Sequence, residues 1–128
     1  MRILIADDNV LVRHAIRVLL SKEAAFEICG EAADGPQTLD RVRELRPEVV
    51  LLDISMPATD GFQTARQIRD EFADVKILIV TQNDAAMILP AARRAGADAC
   101  LDKSRLGAEL VPALKSAAGQ LTRAQAAR

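Results

Sequence analysis

Three aspartates, Asp7, Asp8 and Asp53, stand where short apolar runs of the sequence end. If those runs are neighbouring strands, the three carboxylates meet at one edge of a sheet. Two negative charges about 4 Å apart then repel each other by about 4 kcal/mol at an effective dielectric constant of about 20, so the cluster needs a cation. Because the ligands are carboxylate oxygens with no His or Cys nearby, they favour a hard ion, and we expect Mg²⁺.

Two more polar residues end apolar runs: Thr81 closes the fourth run, and Lys103 follows the fifth. Phosphoryl transfer requires mainly positioning and positive charge around the phosphoryl oxygens, which Mg²⁺, a hydroxyl and a lysine would supply. Asp53 is the expected acceptor, because it projects from a central strand. Taken singly, these residues have simpler explanations, as helix N-caps, turn residues or a solvated lysine. All five at strand ends are much harder to assign to chance.

The elements that must position these residues are short strands alternating with amphipathic helices, a pattern typical of a parallel sheet covered on both faces. Three of the runs are continuously apolar and should be the central strands. We predict an α/β fold, a doubly wound, flavodoxin-like five-stranded parallel sheet in the order 2-1-3-4-5. Its ligand site then lies at the carboxyl ends of strands one and three. The predicted strands are Ile3 to Ala6, Phe26 to Glu31, Val49 to Asp53, Lys76 to Thr81 and Ala99 to Asp102.

Helical periodicity predicts five helices. In the first, Leu11, Ala15, Val18 and Leu19 form the apolar stripe. Pro112 fits a last helix that starts near Leu110, since a proline is tolerated in the first turn. Residues 122–128 are expected to be a frayed tail. The predicted helices are Asn9 to Lys22, Gln37 to Leu45, Gly61 to Phe72, Pro90 to Ala95 (with Gly96 ending it), and Leu106 to Leu121.

Composition limits the remaining choices. The 128 residues fit one domain, half of them are hydrophobic, and the formal charge of −1 argues against a nucleic-acid binder. The chain has no apolar run long enough to span a bilayer and no secretory h-region, so we expect a cytoplasmic protein. Cys29 and Cys100 fall on opposite edges of the predicted sheet and should not form a disulfide.

Several motifs together resemble one family. They are Ile3 to Asp8 with its Asp-Asp pair, Val49 to Pro57 followed by Asp60-Gly61, then Thr81, Gly96-Ala97 and Lys103. Up to about residue 118, the chain is similar to the receiver domains of bacterial two-component response regulators. The stretch 30–35 is most similar to receivers that precede a helix-turn-helix DNA-binding domain.

The resemblance implies that Asp53 is phosphorylated by a histidine kinase, a phosphotransfer protein or a small phosphoryl donor. It implies that Asp7, Asp8, Asp53 and the backbone carbonyl of Ser55 bind Mg²⁺, while Thr81 and Lys103 contact the phosphoryl group. Relatives form homodimers or contact output domains through the face from the fourth helix to the last. We expect residues 1–118 to be the receiver and residues 119–128 a tail or the start of a linker, either in a stand-alone receiver or at the front of a longer regulator. This chain itself is expected to bind neither membranes nor nucleic acid.

Three positions depart from the family pattern. Cys100 occupies the switch position that usually carries Tyr or Phe, and a small thiol weakens or replaces the usual coupling of Thr81 to an aromatic ring. Ser104 replaces a proline that often follows the lysine. Pro90 falls inside the fourth helix and lacks a backbone N–H, so residues 85–89 are predicted not to be regular helix.

Other functions fit the sequence less well. A pseudo-receiver would keep the fold and act without phosphate as a protein-interaction module. The three departures from the family pattern, at Cys100, Ser104 and Pro90, favour this alternative. A haloacid-dehalogenase-like phosphatase needs a second Asp two residues after its nucleophile, where this chain has Ser55. A flavodoxin-type flavin binder is excluded on charge, because the two aspartates after the first strand would repel its phosphate. We therefore expect a phosphoacceptor that catalyses only its own phosphorylation and dephosphorylation, and not an enzyme.

Overall fold

The computed structural model describes residues 1–56 and 60–126, with side chains up to Gly119. Pro57 of the Met-Pro motif and residues 127–128 of the predicted tail lie outside the described residues. Within them, five strands form one parallel sheet in the order β2-β1-β3-β4-β5, which confirms the predicted topology. The strands are β1 (Arg2–Ala6), β2 (Glu27–Ala32), β3 (Val49–Asp53), β4 (Lys76–Thr81) and β5 (Ala99–Asp102).

Five α-helices cover the sheet, because the strand residues alternate between two apolar cores. The helices are α1 (Val10–Leu20), α2 (Gly35–Leu45), α3 (Gly61–Glu71), α4 (Ala85–Arg94) and α5 (Leu106–Ala126). Helices α2, α3 and α4 pack on one face against residues such as Leu4, Leu52 and Ile77. Helices α1 and α5 pack on the other face against Ile3, Leu51 and Leu78. The central strands are buried on both faces, as their unbroken apolar runs indicated.

The predicted apolar stripe of α1 is wrong. Ile16 and Leu20 are the buried residues of this helix, whereas Leu11 is 74% exposed and Val18 is 47% exposed. The Asn9 side chain accepts hydrogen bonds from the backbone N–H groups of Leu11 and Val12, so the helix begins at Val10. Two apolar stripes compete on this helix, and only packing against the sheet decides between them.

The prediction that Pro90 interrupts its helix is also wrong, since α4 runs continuously through it. Pro90 is the sixth residue of α4 and removes only one intrahelical hydrogen bond, the one to the carbonyl of the exposed Ala86. Asp84 organises the first turn, because its side chain accepts from the Ala86 N–H at 3.0 Å and its carbonyl from the Ile88 N–H at 3.2 Å. The cap therefore forms a helical turn before the proline is reached.

The last helix begins at Leu106, the predicted first residue, and extends further than the predicted end at Leu121, to Ala126. It starts at Leu106, directly after a 3-10 turn over Lys103–Arg105, so Pro112 lies in its second turn and not in its first. The carbonyl that loses its partner belongs to Ala108, an exposed residue, so this carbonyl is not buried without a hydrogen-bond partner. Residues 122–126 are helical, which corrects their assignment to a frayed tail.

Candidate functional site

Three carboxylates meet at the carboxyl ends of β1 and β3. Ala6 pairs with Leu52 across these neighbouring strands, so Asp7 and Asp53 leave the sheet side by side. Each of Asp7, Asp8 and Asp53 offers a carboxylate oxygen within 4.8 Å of the other two. Asp7 is 2% exposed and Asp53 is 1% exposed, whereas Asp8 is open to solvent. The prediction that the three aspartates lie close together is therefore confirmed.

None of these acidic residues acts as a simple helix cap. Asn9 caps α1 and Asp84 caps α4, so neither the Asp7–Asp8 pair nor Thr81 has the capping role that a simpler explanation would give it. Burying carboxylates without such a role is costly unless a cation compensates for their charge. The position of these groups points to chemistry at this edge of the sheet.

Lys103 supplies a cation to this cluster. Its ammonium Nζ lies 2.9 Å from Asp7 Oδ2 and 3.2 Å from Asp53 Oδ2, and its side chain is only 12% exposed. Burial lowers the pKa of Lys103, but its hydrogen bond to Asp7 and the charges of Asp53 and Asp7 outweigh that effect, and the pKa is raised above its usual value. Lys103 is therefore charged at neutral pH and bridges the two buried carboxylates.

The two oxygens of Asp7 have different partners. Oδ1 accepts a hydrogen bond from the Asn9 N–H at 2.8 Å, and Oδ2 faces Lys103. Burial raises the pKa of Asp7; the hydrogen bonds from Asn9 and Lys103 oppose that rise without cancelling it. The surroundings of Asp7 thus disfavour its charged form, and an added positive charge would stabilise that form.

Ser55 holds the side chain of Asp53 from the opposite side. Its backbone N–H donates to Asp53 Oδ1 at 2.9 Å and its hydroxyl donates to the same oxygen at 2.7 Å. From the sequence, only the backbone carbonyl of Ser55 was expected at the site, and the hydroxyl contact was missed. An Asp followed two residues later by Ser is a local turn pattern that would have indicated it. The two bonds leave Oδ2 of Asp53 directed toward Lys103.

Thr81 lies at the same edge but is not joined to the cluster by a hydrogen bond within the described residues. It is the last residue of β4 and is buried, and its hydroxyl Oγ1 accepts a hydrogen bond from the Asn83 N–H at 3.0 Å. Asp53 pairs with Val80 on β4, so Thr81 stands one residue beyond the level of Asp53.

Cys100 lies on β5 opposite Ile79 and packs, half-buried, against the core beneath α4. Burial, with a smaller contribution from Asp102, raises the pKa of the Cys100 thiol to about 11. The thiol is therefore an inert apolar group at neutral pH. Cys29 lies on β2, at the opposite edge of the sheet, and both cysteines are free, as predicted.

The donor set fits a hard divalent cation. All three converging ligands are carboxylate oxygens, and the exposed Asp8 leaves one side of the cluster open to water, as Mg²⁺ prefers. Asp7 Oδ2, however, is already paired with Lys103. A metal ion at this cluster would therefore compete with Lys103 for Asp7, while Lys103 can stay at Asp53.

Comparison with known proteins agrees with this geometry. Residues 3–115 match the response regulator receiver domain family. The chain belongs to that family. A transcriptional regulatory protein of Bacillus subtilis, YxjL, is 33% identical to this receiver over 117 residues, which cover 91% of this chain and 54% of that protein.

Solved structures of response regulators superpose closely on this receiver. It superposes with a TM-score of 0.86 on a LuxR-family two-component response regulator from Aurantimonas sp. SI85-9A1, at 33% identity over 92% of this chain and 85% of that chain. The signal receiver domain of the putative NarL regulator from Mycobacterium tuberculosis gives a TM-score of 0.83, also at 33% identity, over 92% of this chain and 96% of that domain. The receiver spans about half the length of the curated relatives it matches. Among its described residues, no helix is long and apolar enough to cross a membrane.

Proposed function

We propose that Asp53 accepts a phosphoryl group in a Mg²⁺-dependent reaction and that the resulting acyl phosphate alters the surface of this receiver. The observation that carries the proposal is the buried Asp53 carboxylate between Asp7, Asp8 and Lys103. Such a cluster is expensive to bury and has no structural role as a cap, which favours a chemical role. The donor is a phosphohistidine on a histidine kinase or phosphotransfer protein, or a small acyl phosphate, and the exchange takes place in the cytoplasm.

In this scheme, Oδ2 of Asp53 attacks phosphorus. A bond forms between that oxygen and phosphorus as the bond from phosphorus to the donor's nitrogen or oxygen breaks, and the leaving group takes the electron pair. Ser55 holds Oδ1 through two hydrogen bonds, so the nucleophilic oxygen is oriented before the donor arrives. Lys103 stands beside Oδ2 and neutralises charge on the transferred oxygens.

The metal would be held by the carboxylates of Asp7, Asp8 and Asp53, and by the carbonyl of Ser55. Mg²⁺ would supply Lewis-acid stabilisation of the phosphoryl oxygens. Thr81 would release Asn83 and donate its hydroxyl to a phosphoryl oxygen. The receiver remains a phosphoacceptor, because its position two residues after Asp53 carries Ser55, which lacks the acid a phosphatase requires.

Intact mass spectrometry tests this proposal. The wild type is incubated with acetyl phosphate and Mg²⁺ beside an Asp53→Asn variant and an EDTA control. We expect a gain of one phosphoryl group only in the wild type with metal. A folded wild-type protein that binds neither a phosphoryl group nor beryllofluoride would favour the pseudo-receiver, which acts by protein binding alone.

We further propose that the effect of phosphorylation is transmitted to partners through the loop 81–86 and the face formed by α4, β5 and α5. The small Cys100 replaces the usual ring, so motion of this loop must carry the change itself. A cleft of about 550 Å³ lies on this face, between the start of α4 and the 3-10 turn, and is lined in part by Asp84, Arg105 and Glu109. Residues 1–118 would form the signalling unit, and the segment from 119 would lead toward an output partner or a second copy.

Hydrogen exchange with and without beryllofluoride tests the loop. Breaking the bond between the Asn83 N–H and Thr81 Oγ1 should speed exchange at Asn83, and a Thr81→Val variant should show fast exchange in both states. Amides of α2, on the far side of the site, serve as the internal control. Unchanged exchange at 82–86 despite bound beryllofluoride would contradict this route.

A further inference from the structure

A hydrogen-bond network behind the acidic cluster connects α1, β2 and the end of β1. The guanidinium group of Arg13 donates through Nε to Glu31 Oε1 at 2.7 Å and through Nη1 to the backbone carbonyl of Asp7 at 2.6 Å. Glu31 is the β2 partner of Ile5 in the sheet, so its carboxylate stands on a fixed element. One arginine therefore joins a rigid strand to the main chain of a candidate metal ligand.

Glu31 is itself held by a second arginine. Arg17, one helical turn after Arg13, donates through Nε to Glu31 Oε2 at 2.8 Å. Burial raises the pKa of Glu31, but its bonds to Arg17 and Arg13 outweigh that effect and lower the pKa. Glu31 is thus charged at neutral pH and orients the planar fork of Arg13.

The carbonyl that Arg13 contacts belongs to the peptide linking Asp7 to Asp8. A peptide unit is planar from one Cα to the next, so fixing this carbonyl fixes where the Cα of Asp8 lies. The carboxylate of Asp8 is exposed and makes no hydrogen bond to any residue that the structure describes. Its place in the cluster therefore depends on the backbone. The Asp7 N–H is held by the Ala32 carbonyl, and the Asp7 carbonyl, which belongs to the peptide that joins it to Asp8, is held by Arg13.

We infer that Arg13, held by Glu31, is a positioning residue that presets the Asp7–Asp8 peptide for metal binding. The inference rests on the proposed function, because it assigns Arg13 a role toward the Mg²⁺ of that site. Groups that orient metal ligands from behind typically alter metal affinity tenfold or more when removed. Arg13 does this without touching the metal.

Arg17 provides a matched control within the same network. Arg17→Ala removes an arginine from the same carboxylate and the same helix but leaves the contact of Arg13 with Asp7 in place. A merely structural ion pair would make Arg13→Ala and Arg17→Ala behave alike. A positioning role would separate them in metal affinity.

The test is Mg²⁺ binding by isothermal titration calorimetry on wild type, Arg13→Ala and Arg17→Ala. Thermal unfolding of each in EDTA, followed by circular dichroism, measures stability without metal. We expect Arg13→Ala to weaken Mg²⁺ binding about tenfold while Arg17→Ala stays within about twofold of wild type. Glu31→Gln, which loosens the fork of Arg13, should fall between them.

Equal Mg²⁺ affinities in the Arg13→Ala and Arg17→Ala variants would overturn the inference and leave the proposed function intact. A wild-type chain that binds no Mg²⁺ would instead overturn both. If Arg13→Ala does not fold, Arg13→Lys replaces it, since a lysine cannot bridge Glu31 and the Asp7 carbonyl as a guanidinium fork does. That variant should also bind Mg²⁺ more weakly than Arg17→Ala, and equal affinity would again overturn the inference.

Discussion

Lys103 neutralises a carboxylate pair that would otherwise be buried with uncompensated charge. Its ammonium group contacts both Asp7 and Asp53, and both acids are almost wholly inaccessible to solvent. The same group stands where a transferred phosphoryl group would need positive charge. In the proposed mechanism, stability without metal and reactivity with a donor would therefore both depend on this one side chain, and a bound metal would compete with it for Asp7.

Replacing Lys103 with methionine should separate these roles. We expect the free energy of unfolding in EDTA to fall by about 3 kcal/mol, because two buried carboxylates lose their partner. Mg²⁺ should then bind more tightly than in the wild type, since it no longer competes for Asp7, while phosphorylation by acetyl phosphate slows strongly. Urea unfolding followed by circular dichroism, calorimetry and intact mass measure the three effects.

Lys115→Met is the matched control for this prediction. Lys115 is largely exposed and lies 3.7 Å from Glu23, so its loss should change stability by less than about 1 kcal/mol. Equal stabilities for the two variants in EDTA, or weaker Mg²⁺ binding by Lys103→Met, would contradict the role given to Lys103.

Cys100 should be unreactive at physiological pH. With a pKa of about 11, on the order of one thiol in a thousand is ionised at pH 8, and only the thiolate is alkylated rapidly. In a Cys29→Ser variant, we expect the rate of modification by iodoacetamide to rise about tenfold per pH unit between pH 8 and 10. A rate that levels off near pH 9 would show that the Cys100 thiol is not held protonated; urea-unfolded protein is the control.

Among the helices, α4 is the one with the fewest buried side chains, with Ala92 alone fully buried and Met87 almost fully exposed. Pro90 removes one of its backbone hydrogen bonds. The helix is nevertheless regular, because the Asp84 cap orders its first turn. A helix held mainly by its cap and one face is suited to shift when the preceding loop moves.

Pro90→Ala should therefore stabilise the protein. The alanine restores an N–H for the Ala86 carbonyl and removes the ring from the preceding turn, and we expect a gain of about 1 kcal/mol after the greater freedom of the unfolded chain is offset. Urea unfolding by circular dichroism measures it. Pro36→Ala is the control: Pro36 lies at the start of α2, where proline is favourable, so that variant should lose a few tenths of a kcal/mol. A destabilised Pro90→Ala would show that the proline supports α4.

For the whole molecule, the proposed metal site would link folding to metal concentration. Asp7 and Asp8 follow β1 and Asp53 ends β3, and these two strands pair at the centre of the sheet, so the geometry of the cluster exists only in the folded chain. A ligand that binds only the native state stabilises it by mass action. The net charge of −1 makes a nonspecific effect of divalent ions on the whole molecule small.

Mg²⁺ at ten times its dissociation constant should raise the free energy of unfolding by about 1.4 kcal/mol and the melting temperature by several degrees. The measurement is thermal unfolding by circular dichroism across a Mg²⁺ titration at constant ionic strength. Asp8→Asn is the informative variant, because Asp8 is exposed and its replacement should abolish the shift without lowering stability in EDTA. An equal rise in wild type and Asp8→Asn would place the metal elsewhere.

The apolar runs indicated a parallel sheet and its central strands, because strands buried on both faces read as continuous apolar runs. The choice of a doubly wound order with right-handed crossovers then placed the aspartates at one edge of that sheet. The spacing of Asp7, Asp8, Asp53, Thr81 and Lys103 likewise made the candidate site predictable. Only the tertiary structure decided the rest. Helix α1 carries two apolar stripes, and contact with the sheet chose Ile16 and Leu20 over Leu11 and Val18.

The continuity of α4 depended on whether the Asp84 cap stabilises the helix enough to offset the hydrogen bond that Pro90 removes. These two free energies are similar in size, so the residue types alone do not show which is larger. The bridge from Glu31 through Arg13 to the Asp7 carbonyl joins β2, α1 and the loop that follows β1. Local sequence patterns indicate whether a residue faces the core or the solvent. Contacts between segments that are distant in sequence form only when the folded chain packs those segments together.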